Sequence, residues 1–66
     1  MVIDSKAIRN ILIDRQLGVT ELAKTSDINI SVISHITRFD KNVNFKTVGK
    51  LSRALNLDYK EFTKEV

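Results

Sequence analysis

Ser31, Ser34, His35 and Arg38 fall three, one and three residues apart, a spacing that places all four on one side of a helix. Their shared chemistry is hydrogen bonding. A serine hydroxyl donates or accepts, a neutral imidazole does one at each nitrogen, and a guanidinium only donates. No carboxylate stands among them, so His35 has no partner to hold it as a general base, and nothing on the strip repels an anion. His35 is the single histidine and there is no cysteine. That excludes a zinc site of nitrogen and sulfur ligands, disulfides and thiol redox chemistry. Paired carboxylates, a glycine-rich phosphate loop and a nucleophile–base pair are missing as well. The chain therefore reads as a binding protein and not an enzyme, with no cofactor and no metal expected.

The charge around this strip is uneven. The whole chain carries +3, but residues 28–57 hold Arg38, Lys41, Lys46, Lys50 and Arg53 against Asp40 alone, for +4. Residues 1–27 balance to zero and residues 58–66 carry −1. A basic middle segment suits a polyanion.

The elements that must present the strip are short. Sixty-six residues make one small domain, which buries only ~60% of the surface of its unfolded form. Hydrophobic residues at 42% are ordinary for a folded chain, and the absence of Pro with only two Gly favours helices with short connections. Apolar residues recur at three and four, which points to an all-α fold. The first helix is expected from Ser5 to Gln16, capped by Asp4 or Ser5, with Ile8, Ile11 and Leu12 inward and Ile13 off the stripe. The second runs from Val19 to Thr25 with Leu22 and Ala23 inward, and Asp27 suits a left-handed turn. Asn29 caps a third helix, Ile30 to Arg38, with Ile33 and Ile36 inward. Asn44 caps a fourth that ends at Leu55, with Phe45, Val48, Leu51 and Leu55 inward. Asp58-Tyr59-Lys60-Glu61 has the form of a capping box and opens a short fifth helix with Phe62 inward. The first residues lack the basic run and long apolar stretch of a signal peptide. The longest apolar run, Ile11-Leu12-Ile13, falls far short of the ~20 residues of a membrane span, so a soluble, cytoplasmic protein with no membrane partner is expected.

The second and third helices with their tight turn form a helix-turn-helix, in which the outer face of the second member enters the major groove of DNA. Small polar side chains on that face permit close approach to base edges, and Asn29 leaves the helix N-terminus to face a phosphate.

At this point the chain resembles the phage-repressor and Cro-type helix-turn-helix family, also called the xenobiotic-response-element family. The resemblance runs from about Ile8 to Phe62. It rests on Leu17, Glu21-Leu22-Ala23, Ile28-Asn29, Ile33-Ser34, Asn44, Phe45, Val48, Leu51, Ala54-Leu55 and Leu57. It implies a compact five-helix lambda-repressor-like DNA-binding domain over residues 1–66. There are five departures from the family pattern, the fifth of them double. Val19 stands for a usual Gln, Asp27 for a turn Gly, Phe39 for a Gly after the third helix, and Val43 for a Pro. Leu12 and Thr37 together replace an Arg–Glu pair, so both charges are gone at once, which is far cheaper than stranding one. Phe39 and Val43 are expected to pack inward in a reshaped loop.

By family position, Ile30, Ser31 and His35 face base edges, with Ser34 nearby, and Ile30 suits a thymine methyl. Asn29, Arg38, Lys41, Asn42, Asn44 and Lys46 are candidate phosphate contacts. Lys50 and Arg53 are expected to solvate the fourth helix. Tyr59, Phe62 and Val66, with Val2 and Ile3 at the other end, are the spare apolar groups for a homodimer on DNA. A drug-sized pocket of ~300–1,000 Å³ has no room beside so small a core, so no small-molecule ligand is expected. The resemblance implies a bacterial or phage-encoded regulator of double-stranded DNA, such as a Cro-type or prophage repressor, a restriction-modification control protein or an antitoxin. The first of these is favoured. The rival is a helix-turn-helix module that acts mainly through a protein partner, as an antitoxin or co-regulator does.

Overall fold

The Asp4 side chain accepts from the amides of Lys6 and Ala7 at 3.1 and 3.2 Å, which starts helix α1 at Ser5. The computed structural model describes residues 1–65, and in these α1 spans Ser5–Arg15, α2 Val19–Ser26, α3 Ile30–Arg38 and α4 Phe45–Leu55. Asn29 caps α3 through the Ser31 amide at 2.8 Å, and Asn44 caps α4 through the Thr47 amide at 2.9 Å. Three helices end on a left-handed residue: Gln16 for α1, Asp27 for α2 and Asn56 for α4. None of the three is glycine, so each holds a conformation that L-residues enter at some cost. Their backbone amides bond carbonyls of the last turn and so close the helix ends.

The expected stripes are inside. Ile8 and Leu12 of α1, Leu22 and Ala23 of α2, Ile33 and Ile36 of α3, and Val48, Leu51 and Leu55 of α4 form one core. Helix α3 lies between α1 and α2, and α2 also packs on α4. Two cross-ties use arginine on backbone carbonyls near helix ends, where partial negative charge collects. Arg9 donates to the Thr37 carbonyl at 2.8 Å, and Arg15 donates to that of Leu55. Leu12, in place of a family arginine, is only 7% exposed.

The fold departs from an all-α, five-helix reading at the chain ends. Asp58 caps a single 3-10 turn, Tyr59–Glu61, and not a fifth α-helix. The backbone then turns at Phe62, whose ring is fully buried, and continues as an extended pair. Strands β1 (Val2–Ile3), β2 (Lys41–Asn42) and β3 (Thr63–Lys64) form a small antiparallel sheet with β1 in the centre. Val2 lies opposite Asn42 and Lys64, and Ile3 opposite Lys41 and Thr63. Ile3 is fully buried in the common core.

Asp40 fastens the sheet to α1. One carboxylate oxygen accepts from the Ser5 amide at 2.9 Å and the Ser5 hydroxyl at 3.0 Å, and the other meets the Lys64 ammonium. The Lys64 bond, then the two from Ser5, lower the Asp40 pKa from 3.8 to about 2. The same contact with Asp40 raises that of Lys64.

Candidate nucleic-acid interface

Helix α3 turns Ile33 and Ile36 inward, and its period of 3.6 therefore turns Ile30, Ser31, His35 and Arg38 outward, where all four are exposed. Ser34 is half-buried at the edge of this strip, with its carbonyl accepting from the Thr37 hydroxyl at 2.7 Å. The strip thus presents one hydroxyl fully, one in part, an imidazole, a guanidinium and an apolar side chain. Neither Asp nor Glu occurs in α3.

The six candidate phosphate contacts divide by chemistry. Arg38 at the end of α3 and Lys46 in the first turn of α4 are exposed cations, and Lys41 is half-buried on β2. The three asparagines already hold structure through their side-chain oxygens. Asn29 and Asn44 cap helices, and Asn42 accepts from the Met1 amine at 3.0 Å. The Asn29 oxygen takes up the Ser31 amide, so the α3 N-terminus is less open to an anion than the sequence suggested. What each asparagine has left to offer is its NH₂ group, two donors. Lys50, one of the two cations expected to solvate α4, bonds the Asp27 carbonyl at 3.1 Å. The single acid of the basic segment, Asp40, is tied to Lys64, so it does not oppose the cations around α3 with a free charge.

Several apolar side chains lie elsewhere than their sequence pattern predicts. Phe39 is 59% exposed and Phe45 is 78% exposed, although both were expected inward. Phe39 follows α3 in extended conformation, which keeps its ring beside the helix end and does not fold it beneath. It lies 5.4 Å from the His35 ring, tilted by 49°. Phe45 is the first residue of α4, where side chains lean toward the helix N-terminus and overhang the core. Val43 is half-buried against the core as expected. Of the dimer candidates, Phe62 and Ile3 are fully buried and cannot form an interface, Val2 is half-buried, Tyr59 is exposed, and Val66 lies outside the described residues. The surface also carries hollows of about 690 Å³ beside Met1, Tyr59 and Lys64 and about 550 Å³ along α1 and its turn into α2, with Thr37 of α3 at the edge. The expectation that so small a chain leaves no drug-sized hollow was too strict, since open grooves need no enclosing wall. Ile13 borders the second groove and is 74% exposed.

Residues in α3 and Phe39 share a period that sequence alone displays: Ser31, His35 and Phe39 are successive positions at four. The apolar character of phenylalanine masks this period, because it points equally to burial. No helix among the described residues is long and apolar enough to cross a membrane.

The profile of the Cro/C1-type helix-turn-helix DNA-binding domain matches residues 7–64, from α1 through β3. No curated protein and no solved structure matches the chain.

Proposed function

The chain belongs to the Cro/C1-type helix-turn-helix DNA-binding domain family, and on that footing we propose that it is a sequence-specific transcriptional regulator of double-stranded DNA. It acts as a Cro-type or prophage-type repressor by occupying an operator and excluding polymerase, with residues 1–66 as one domain. The observation that carries this reading is the outward strip of α3, small, polar and free of carboxylates, beside the exposed cations Arg38 and Lys46. Ser31, Ser34 and His35 hydrogen-bond base edges and Ile30 meets a thymine methyl. Arg38, Lys41 and Lys46 bind phosphate by charge, and the NH₂ groups of Asn29, Asn42 and Asn44 add neutral donors that fix register. The regulator binds as a homodimer with half-sites about one helical turn apart, ~34–36 Å, and Tyr59 contributes to its interface. No bound small molecule or cofactor is required, so control follows protein concentration.

A mobility shift on generic duplex tests this. Retention at low salt that disappears as salt rises is the expected result, because each neutralised phosphate releases counterions. Ile13 and the apolar groove along α1 and its turn into α2 favour a second reading, a module that acts through a protein partner. Absence of retention at low salt would favour that module over the regulator.

A further inference from the structure

The exposed ring of Phe39 is not accounted for by the fold. It adds no core, and an apolar surface left in water forfeits the gain of burial. It does have a neighbour: the His35 imidazole, at 5.4 Å and a 49° tilt. The Phe39 amide also donates to the His35 carbonyl at 2.9 Å. The two rings therefore stand together at the C-terminal end of α3, with Ser31 one further step of four toward its start. Arg38 precedes Phe39 directly, and Lys41 follows Asp40, whose carboxylate is paired with Lys64, so the ring is flanked in sequence by two cations and one neutralised acid. An apolar ring with cations on either side of it in the chain complements a surface that is anionic outside and carries apolar groups within. The major groove of DNA is such a surface, with phosphates on its walls and the 5-methyl of thymine on its floor.

Resting on the DNA-binding reading above, we infer that Phe39 is a specificity-determining residue whose outer ring face contacts the 5-methyl group of a thymine. His35 backs the ring from the helix side and holds it against the groove. The N-terminal residues of a recognition helix meet base edges first. Phe39 stands at the far end of the strip, one step of four past His35, so its ring reaches a base step beyond the one that the N-terminal residues meet. The contact is separate from the one assigned to Ile30. Helix α3 has nine residues, and at a rise of ~1.5 Å each its ends lie roughly 12 Å apart. At ~3.4 Å per base along a strand, the two thymines are roughly three to four base pairs apart.

Deoxyuridine substitution isolates the methyl group, because uracil keeps every hydrogen bond of thymine. The duplex is the one that the wild-type chain selects from a random pool. Each thymine in it is replaced singly, and affinity is measured for wild type, Phe39→Ala, Phe39→Leu and Ile30→Ala. The expected result is one position at which uracil weakens wild type by roughly fourfold, about the value of one buried methyl group. Phe39→Ala loses sensitivity at that position alone, Phe39→Leu keeps part of it, and Ile30→Ala keeps it whole. Because Phe39 lies outside the core, its variants fold, and helical circular dichroism checks that they do. If duplex is bound but Phe39→Ala responds to every uracil as wild type does, the assignment is overturned while DNA binding stands. If Phe39→Ala binds all duplexes normally and instead loses a protein partner, the ring belongs to a protein interface and the assignment is equally overturned. If no duplex is retained by wild type even at low salt, the DNA-binding reading fails and this inference falls with it.

Discussion

Ile3 and Ile13 make a controlled comparison, because the same side chain stands in the same protein in opposite surroundings. Ile3 is the second residue of the central strand β1 and is fully buried, while Ile13 on α1 is 74% exposed. Removing one methylene by Ile3→Val should cost ~0.5–1.5 kcal/mol, and Ile3→Ala ~2–5 kcal/mol. A domain of this size holds a net ~3–5 kcal/mol, so Ile3→Ala removes most or all of it. The valine variant is the informative one. At ~4–8 °C per kcal/mol for a small domain, its midpoint should fall by roughly 2–12 °C. Valine is also at home in a strand, so the loss reports burial and not backbone preference. Ile13→Val should stay within ~0.5 kcal/mol of wild type, as surface changes do. Thermal and urea unfolding followed by circular dichroism measures all three. Equal midpoints for Ile3→Val and Ile13→Val would refute the claim that the chain ends form part of the core.

Leu12→Arg alone should destabilise by ~3–5 kcal/mol, since Leu12 is buried and Arg9 already occupies the Thr37 carbonyl; adding Thr37→Glu should restore much of it, and equal losses in thermal unfolding of the single and double variants would remove the argument. Asp40 titrates at about 2 against an ordinary 3.8, so its stabilisation is complete well above 3.8 and is lost as pH falls toward 2. Asp40→Asn should flatten the fall of stability over that acid range in urea titrations, and an unchanged slope would contradict the clasp. Lys46→Ala should weaken all duplexes alike and reduce the salt slope by ~1, whereas Ser31→Ala and His35→Ala should change sequence preference by ~1–3 kcal/mol. A sequence-independent loss for His35→Ala, read from titrations at several salt concentrations, would reassign it to the DNA backbone.

The helices were legible because their signals are local. Asp4, Asn29 and Asn44 cap where short polar side chains should, and Asp27 takes the left-handed turn expected of it. Ile8, Leu12, Ile33, Ile36, Leu51 and Leu55 keep the helical period and are all buried. The sheet was not legible, since strands of two residues have no period to detect and their partners lie some forty or sixty positions away. The end of the chain looked helical because Asp58 and Glu61 have capping-box spacing. Burial of Phe62 halted that helix after one turn. In the candidate site, the outward strip followed directly from the inward one. Phe39 and Phe45 are exposed against the expectation from their apolar character, because a side chain at a helix end can be apolar, in phase and still beyond the core.

In the proposed complex DNA meets the outer face of α3. Amide and side-chain NMR shifts recorded while the selected duplex is added test it residue by residue. The largest changes should fall at Ser31, Ser34, His35, Arg38 and Lys46, with Ile13 and its groove unmoved. Changes confined to that groove along α1 and its turn into α2, with Ser31, Ser34, His35 and Arg38 silent, would contradict it.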